Sequence, residues 1–307
     1  MYKRFFGLKE NPFNVNPDPR FLFETRENQE ALACLTYGIQ RRRGFILLSG
    51  EVGTGKTTLL NKLLEHLREG RVTTAFIFNP RLSVNQFLHF MLADFGISCE
   101  SRMKSQVLLQ LNQWLLERYR AGETAVLIVD EAQNLSLEVL EEIRLLTNLE
   151  TSTEKLLQIV LSGQPEIENL INQPVLRQLR QRITLRCKMV PLSLQDTQGY
   201  ISERLRIAGA NGDPIFEPDA LQLVHRYSGG IPRVINLLCE HALITAYAED
   251  QRPVLADTIQ AVAHEFDLDK SPTEAAQSLQ EEERRTSPAF DSLQNLGQLM
   301  DRMRKGS

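Results

Sequence analysis

Residues 45–57 read Phe45-Ile46-Leu47-Leu48-Ser49-Gly50-Glu51-Val52-Gly53-Thr54-Gly55-Lys56-Thr57. A short apolar run of strand character leads into a glycine-rich turn, and residues 57–68 beyond it carry helical periodicity. The spacing satisfies GxxxxGK[ST] in the strand, loop and helix context that a phosphate-binding loop requires. Glycines at 50, 53 and 55 allow successive backbone N–H groups to turn inward around phosphate, and Glu51, Val52, Thr54 and Thr58 complete the cradle. The helix N-terminus adds a partial positive charge. Lys56 is placed to neutralise β- and γ-phosphates, and the Thr57 hydroxyl to ligate Mg²⁺. ATP and Mg²⁺ are therefore the expected ligands.

Outward from this loop, further strands are expected at 73–78, 125–129, 156–162 and 183–189. Helical patterns at 27–40, 84–95, 106–120 and 137–149 alternate with them, which implies a parallel, three-layer α/β sheet. After Pro191 the pattern turns wholly helical, at 194–208, 218–227, 232–248 and 256–266, as in a compact helical subdomain. The expected organisation is an N-terminal segment over 1–43 packing on the core, the α/β nucleotide-binding core over 44–190, and a helical lid over 191–266. A polar linker then fills 267–307. Within it Phe290, Leu293, Leu296, Met300 and Met303 recur at spacings of three and four, as in an amphipathic helix that docks on a partner; a frayed tail is the competing reading.

Composition narrows the class. Lys plus Arg number 35 against 39 for Asp plus Glu, a net charge of -4, which argues against coating nucleic acid by bulk charge but leaves a local patch open. The four cysteines and five histidines are dispersed and show no zinc spacing, so buried thiols are expected. No apolar run approaches the length of a membrane span, and the first residues do not read as a signal peptide. A cytoplasmic location is expected, with recruitment to the inner face of the membrane left to a partner.

A second constellation is Ala125-Val126-Leu127-Ile128-Val129-Asp130-Glu131. The apolar strand delivers two carboxylates at its carboxyl end, where open α/β sheets bind ligands. Asp130 is the expected Mg²⁺ ligand, directly or through water, and Glu131 the general base that polarises the attacking water. An acidic cap on the next helix is the plainer alternative, outweighed by the phosphate loop.

Together these motifs resemble an AAA+ ATPase, a P-loop NTPase core followed by a small helical lid. More narrowly, FFGLKENPF, PDPRFLF, VLIVDEAQNL, EEIRLLTNLET, KLLQIVLSGQPE, LRQLRQRI and SGGIPRVINLLC resemble the general secretion pathway protein A (ExeA-type) family and ATPases of exosortase and polysaccharide loci. The core is also similar to transposition helper ATPases and, more distantly, to origin-recognition ATPases. The resemblance implies that Asn79 restrains the catalytic glutamate, with an Asn-Pro turn as the alternative. It implies a sensor role for Gln164, with Ser162 as runner-up. Arg177, Arg180 and Arg182 fall where the family carries an arginine finger, ranked Arg180 then Arg182, and Arg233 in Gly230-Ile231-Pro232-Arg233 falls at the second sensor. Among Phe13, Phe21 and Phe23, one is expected to flank adenine and two to pack in the core.

The expected function is Mg²⁺-dependent ATP hydrolysis in a homo-oligomer with intersubunit sites, serving an envelope secretion or surface-polysaccharide system through protein partners. The fullest members of the resembled family carry a transmembrane segment and a peptidoglycan-binding domain that these 307 residues do not display. A DNA-binding ATP switch is the alternative; no winged helix or concentrated basic arm supports it. Retention of Lys56, Asp130 and Glu131 argues against a degenerate scaffold.

Overall fold

The computed structural model describes residues 2–14, 16–68, 70–78, 81–101 and 103–269. Asn79 and the apolar stripe from Phe290 to Met303 lie outside the described residues, so the expectations placed on them stand untouched.

Five strands form one parallel sheet: β1 (Phe45–Gly50), β2 (Val72–Ile77), β3 (Thr124–Val129), β4 (Leu157–Gly163) and β5 (Ile183–Met189), in the order β2-β3-β4-β1-β5. Every residue of β1 and β4 is buried, the signature of central parallel strands covered on both faces. The pleat divides their side chains. Phe45, Leu47, Leu127, Val129, Ile159 and Leu161 enter one core cluster, while Ile46, Leu48, Val126, Ile128 and Val160 enter another on the opposite face. On the edge strand β5, by contrast, Thr184, Arg186 and Lys188 are exposed, and charge there discourages pairing with another chain.

Helices α1 (Tyr2–Phe5), α2 (Arg26–Gln40), α3 (Lys56–Arg68), α4 (Val84–Asp94), α5 (Lys104–Arg120), α6 (Leu137–Leu146), α7 (Glu166–Ile171) and α8 (Arg177–Arg182) precede or interleave with the strands. Serine and threonine start several of them: Thr25 accepts from the Asn28 N–H, and Ser83 and Gln86 form a reciprocal capping box. Helices α2 and α3 supply one face of the sheet, and α4 to α8 the other. Helix α2 crosses β5, bringing the Cys34 and Cys187 sulfurs to 2.7 Å although the two thiols are 153 residues apart.

The last four helices, α9 (Leu194–Ile207), α10 (Pro218–Ser228), α11 (Pro232–Ala248) and α12 (Ala256–Glu265), enclose their own core. Phe6, Leu8 and Phe13 insert into that core rather than into either sheet cluster. Tyr2 and Asn11 both donate to the Glu240 carboxylate on α11, at 2.9 and 3.0 Å, and fasten the chain's beginning there. Asn14 and residues 16–23 consequently lie between the helical core and α2 and wall the space there. Among the described residues no helix is long and apolar enough to cross a membrane.

Candidate active site

The loop between β1 and α3 folds around its own lysine. Gly53 and Gly55 adopt φ of +80° and +97°, which side chains with a Cβ resist. The Thr54 hydroxyl donates to the Glu51 carbonyl at 2.8 Å and closes the turn. Lys56 is only 6% exposed, and its Nζ donates to the carbonyls of Gly50 and Glu51 at 2.7 and 2.9 Å. Burial pulls the ammonium below the ordinary lysine range, while Glu131 and Asp130 push it back up.

Beside the lysine, Thr57 Oγ1 donates to Asp130 Oδ2 at 2.7 Å. Asp130 is 3% exposed; its Oδ1 accepts from the Ser162 hydroxyl at 2.7 Å and from the Glu131 N–H at 3.0 Å. Three elements thus meet at one carboxylate: Thr57 in the first turn of α3, Asp130 just after β3, and Ser162 near the end of β4. The donor set of hydroxyl and carboxylate oxygens suits a hard divalent cation. Among the described residues no group of three or more His, Cys, Asp or Glu could hold a metal by itself, so an ion here would complete its shell with water or ligand oxygens.

Glu131 itself takes a left-handed conformation, φ 53° and ψ 36°, unusual for a residue with a side chain. The turn aims its carboxylate into the same cavity that Lys56 and Thr57 line. Gln164 Nε2 donates to Glu131 Oε2 at 3.2 Å, so the residue expected as a sensor touches the expected base directly.

The cavity, about 260 Å³, runs from Gly53–Thr58 towards the space under Asn14 and residues 16–23. Phe21 and Phe23 line it and Phe13 does not, being 1% exposed in the helical core. Gly50, Glu51 and Val52 are not among the residues that line it, and Glu51 and Val52 are exposed. Arg233 lines it from α11, its backbone N–H donating to the Gly53 carbonyl at 3.2 Å. Arg177, Arg180 and Arg182 do not: all three are exposed on or beside α8, and Arg182 donates to Asn148 at 3.1 Å.

Sequence reasoning missed the far end. There Arg204 is 4% exposed and lines the cavity with Tyr200 and Asn236. Its guanidinium donates to the Tyr200 hydroxyl at 2.9 Å and to the Asn14 carbonyl at 3.4 Å, and lies 4.6 Å from the Phe21 ring centroid. Tyr200 in turn donates to Asn236 Oδ1 at 2.8 Å. No carboxylate lies within ion-pair distance of Arg204 among the described residues, its Nε has no partner, and burial lowers its pKa. The i,i+4 spacing of Tyr200 and Arg204 placed them on one helix face, but nothing in it showed what that face meets.

Residues 39–171 match the AAA domain family. The chain is 47% identical over 266 residues to general secretion pathway protein A of Aeromonas hydrophila, covering 86% of this chain. This chain has an AAA+ fold and is similar in sequence to secretion protein A. It spans 48% of that relative's length. Among solved structures the AAA+ chain resembles the Aeropyrum pernix ORC2 protein, determined as ADPNP-ADP complexes, with a TM-score of 0.62 at 18% identity over 84% of this chain and 72% of that one. Cdc6p of Pyrobaculum aerophilum gives a TM-score of 0.61 at 18% identity, over 79% and 67%. The Thermotoga maritima RuvB Holliday junction branch migration motor gives 0.54 at 15%, over 82% and 72%. At these identities the likeness is one of fold, and it extends through the last four helices.

Proposed function

We propose that this AAA+ chain hydrolyses ATP to ADP and phosphate with Mg²⁺, in a homo-oligomer whose sites are completed by a neighbouring subunit. The observation that carries the reading is the 2.7 Å contact between Thr57 Oγ1 and Asp130 Oδ2 beside the buried Lys56. A triphosphate would be wrapped by the N–H groups of residues 50–58, with Lys56 turning from its own loop carbonyls to phosphate oxygens. Thr57 and Asp130 would hold Mg²⁺, which supplies charge neutralisation at the phosphates when bound. Glu131 accepts the proton of the attacking water as the water oxygen bonds to the γ-phosphorus and the bond to the β-γ bridging oxygen breaks. Gln164 orients that water together with Glu131. Arg233 senses the phosphates from α11, and Arg180 or Arg182 reaches a neighbour's γ-phosphate from α8.

The working division is a nucleotide-binding core over 44–190 and a helical lid over 191–266, with 1–43 threading between them. Motion of the lid is the output. The 47% identity to general secretion pathway protein A supports service to an envelope secretion or polysaccharide-export system from the cytoplasmic side, through protein partners.

Phosphate release by purified protein tests the chemistry: it should require Mg²⁺, disappear with EDTA and fall about 10²–10⁴-fold in E131Q. Replacing the native gene by the E131Q form should block secretion or polysaccharide export. Normal export in that strain, together with ATP-dependent and salt-sensitive DNA binding, would transfer the chain to the DNA-switch class.

A further inference from the structure

The turn Ala132–Asn134 that follows Glu131 carries a glutamine whose side chain points back at the glutamate. Gln133 Nε2 donates to Glu131 Oε2 at 2.5 Å, and its other end, Oε1, accepts the backbone N–H of Gln164 at 3.1 Å. Gln133 therefore uses both ends of its amide, one on the carboxylate after β3 and one on the main chain after β4. Gln164 Nε2 donates to the same Oε2 at 3.2 Å. The two amides pin one oxygen of the carboxylate; Oε1 accepts from neither. The backbone beneath them is matched to this arrangement. A Cβ on Gly163 would stand 2.9 Å from Gln133 Oε1 and 3.2 Å from Ile167 Cβ, so residue 163 must lack a side chain for the glutamine to reach across. Ala132, fully buried, seats the turn.

We propose that Gln133 is a positioning residue for hydrolysis: it fixes Glu131 by Oε2 so that Oε1 faces the water, and it ties that orientation to the end of β4. The inference rests on Glu131 being the general base. Among the described residues these two amides are the hydrogen-bond donors to the Glu131 carboxylate, which leaves a left-handed turn and faces the Lys56 ammonium only through its charge. A neutral amide suits the task because it donates to one neighbour and accepts from the other, whereas a carboxylate at 133 could only accept.

The inference predicts an unusual ranking. Q133A should lower kcat about 10- to 100-fold, a fraction of the 10²–10⁴ that a full general base supplies, with KM and nucleotide Kd within about twofold of wild type. Q133E, though nearly isosteric, should be slower than Q133A, because it sets a second anion against Oε2. G163A, which leaves the glutamine in place but displaces its amide, should resemble Q133A, and thermal melting of all three checks that they fold. The deciding measurement is single-turnover hydrolysis in the E131Q background. There Q133A should add no further loss, since the group it positions is gone. A wild-type rate in both Q133A and Q133E, or an equal loss from Q133A with and without Glu131, overturns the inference. Undiminished turnover in E131Q alone overturns the hydrolysis reading beneath it.

Discussion

The backbone N–H of Arg233 donates to the carbonyl oxygen of Gly53 at 3.2 Å. The first turn of α11 leaves N–H groups without helical partners, and Pro232 at its first position has none to offer. The phosphate loop thus caps the helix that carries Arg233, and movement of either is felt by the other.

Substituting Gly53 should break this joint. Its φ is +80°, and an added Cβ would lie 2.7 Å from Arg233 Cβ and 3.0 Å from Ile231 Cγ2. G53A is expected to destabilise the protein by about 1–3 kcal/mol in urea titration and to weaken ATP binding by calorimetry. Wild-type values for both would mean that loop and helix yield to each other freely.

Lys56 gives a pH signature. Burial holds its folded-state pKa below the unfolded value. Between those two values the unfolded chain binds the extra proton, so this group makes the folded state gain stability as pH rises through that window. K56M should remove the contribution. The difference in melting temperature between wild type and K56M, without nucleotide, is expected to shift in favour of wild type as pH climbs towards the ordinary lysine range. A pH-independent difference would contradict the burial argument. With ATP present, K56M should lose affinity by about 10²-fold or more.

Binding and chemistry should separate at the carboxylates. E131Q is expected to keep ATP affinity while turnover falls about 10²–10⁴-fold. D130N, which alters the oxygen pair shared with Thr57, should instead raise the Mg²⁺ concentration needed for half-maximal rate. Equal Mg²⁺ requirements in D130N and wild type would remove Asp130 from the metal site.

Arg204 offers a test of the far end of the cavity. R204M replaces a buried cation lacking a carboxylate partner by an apolar side chain of similar length, which should leave the melting temperature level or higher. ATP affinity should nonetheless fall about tenfold, or 1.4 kcal/mol, while inorganic tripolyphosphate binds as before. Parallel losses for both ligands would place Arg204's influence at the phosphates.

For α8 the test is complementation. R180A and E131Q should each be slow alone, yet equimolar mixtures should regain turnover, because one subunit supplies the glutamate and its neighbour the arginine. R182A takes the same role if Arg180 is the bystander. Absence of recovery at every mixing ratio, with either arginine, would argue for a site contained in one chain.

Much of the framework was legible because the forces that set it are local. Strands β1, β3 and β4 announce themselves as unbroken apolar runs, and Gly50 to Thr57 carries its geometry in its spacing. Six-residue helices such as α7 and α8 were invisible, since one and a half turns show no periodicity. Arg204, Tyr200 and Asn236 were equally hidden: their meeting with Asn14 and Phe21 depends on an early segment lying against a helical core far later in the chain. Gln133 lay in plain view within Asp130-Glu131-Ala132-Gln133, but its task is set by a left-handed turn and by the missing side chain at Gly163 on another strand. The contact between Cys34 and Cys187 likewise follows from α2 crossing β5, which no spacing encodes.

The strand order has an implication for what counts as a unit of this protein. The stretch that matches the AAA domain family, residues 39–171, ends before β5 and begins after nearly all of α2. Yet β5 pairs with β1 along its whole length and α2 covers that pair. Cut at the borders of that match, the sheet would end at β1, an entirely buried and mostly apolar strand with one row of N–H and C=O groups bare, a template for aggregation. The stretch that the domain family marks is therefore smaller than the stretch that builds the whole sheet, and family resemblance and strand pairing draw their borders in different places on the same chain.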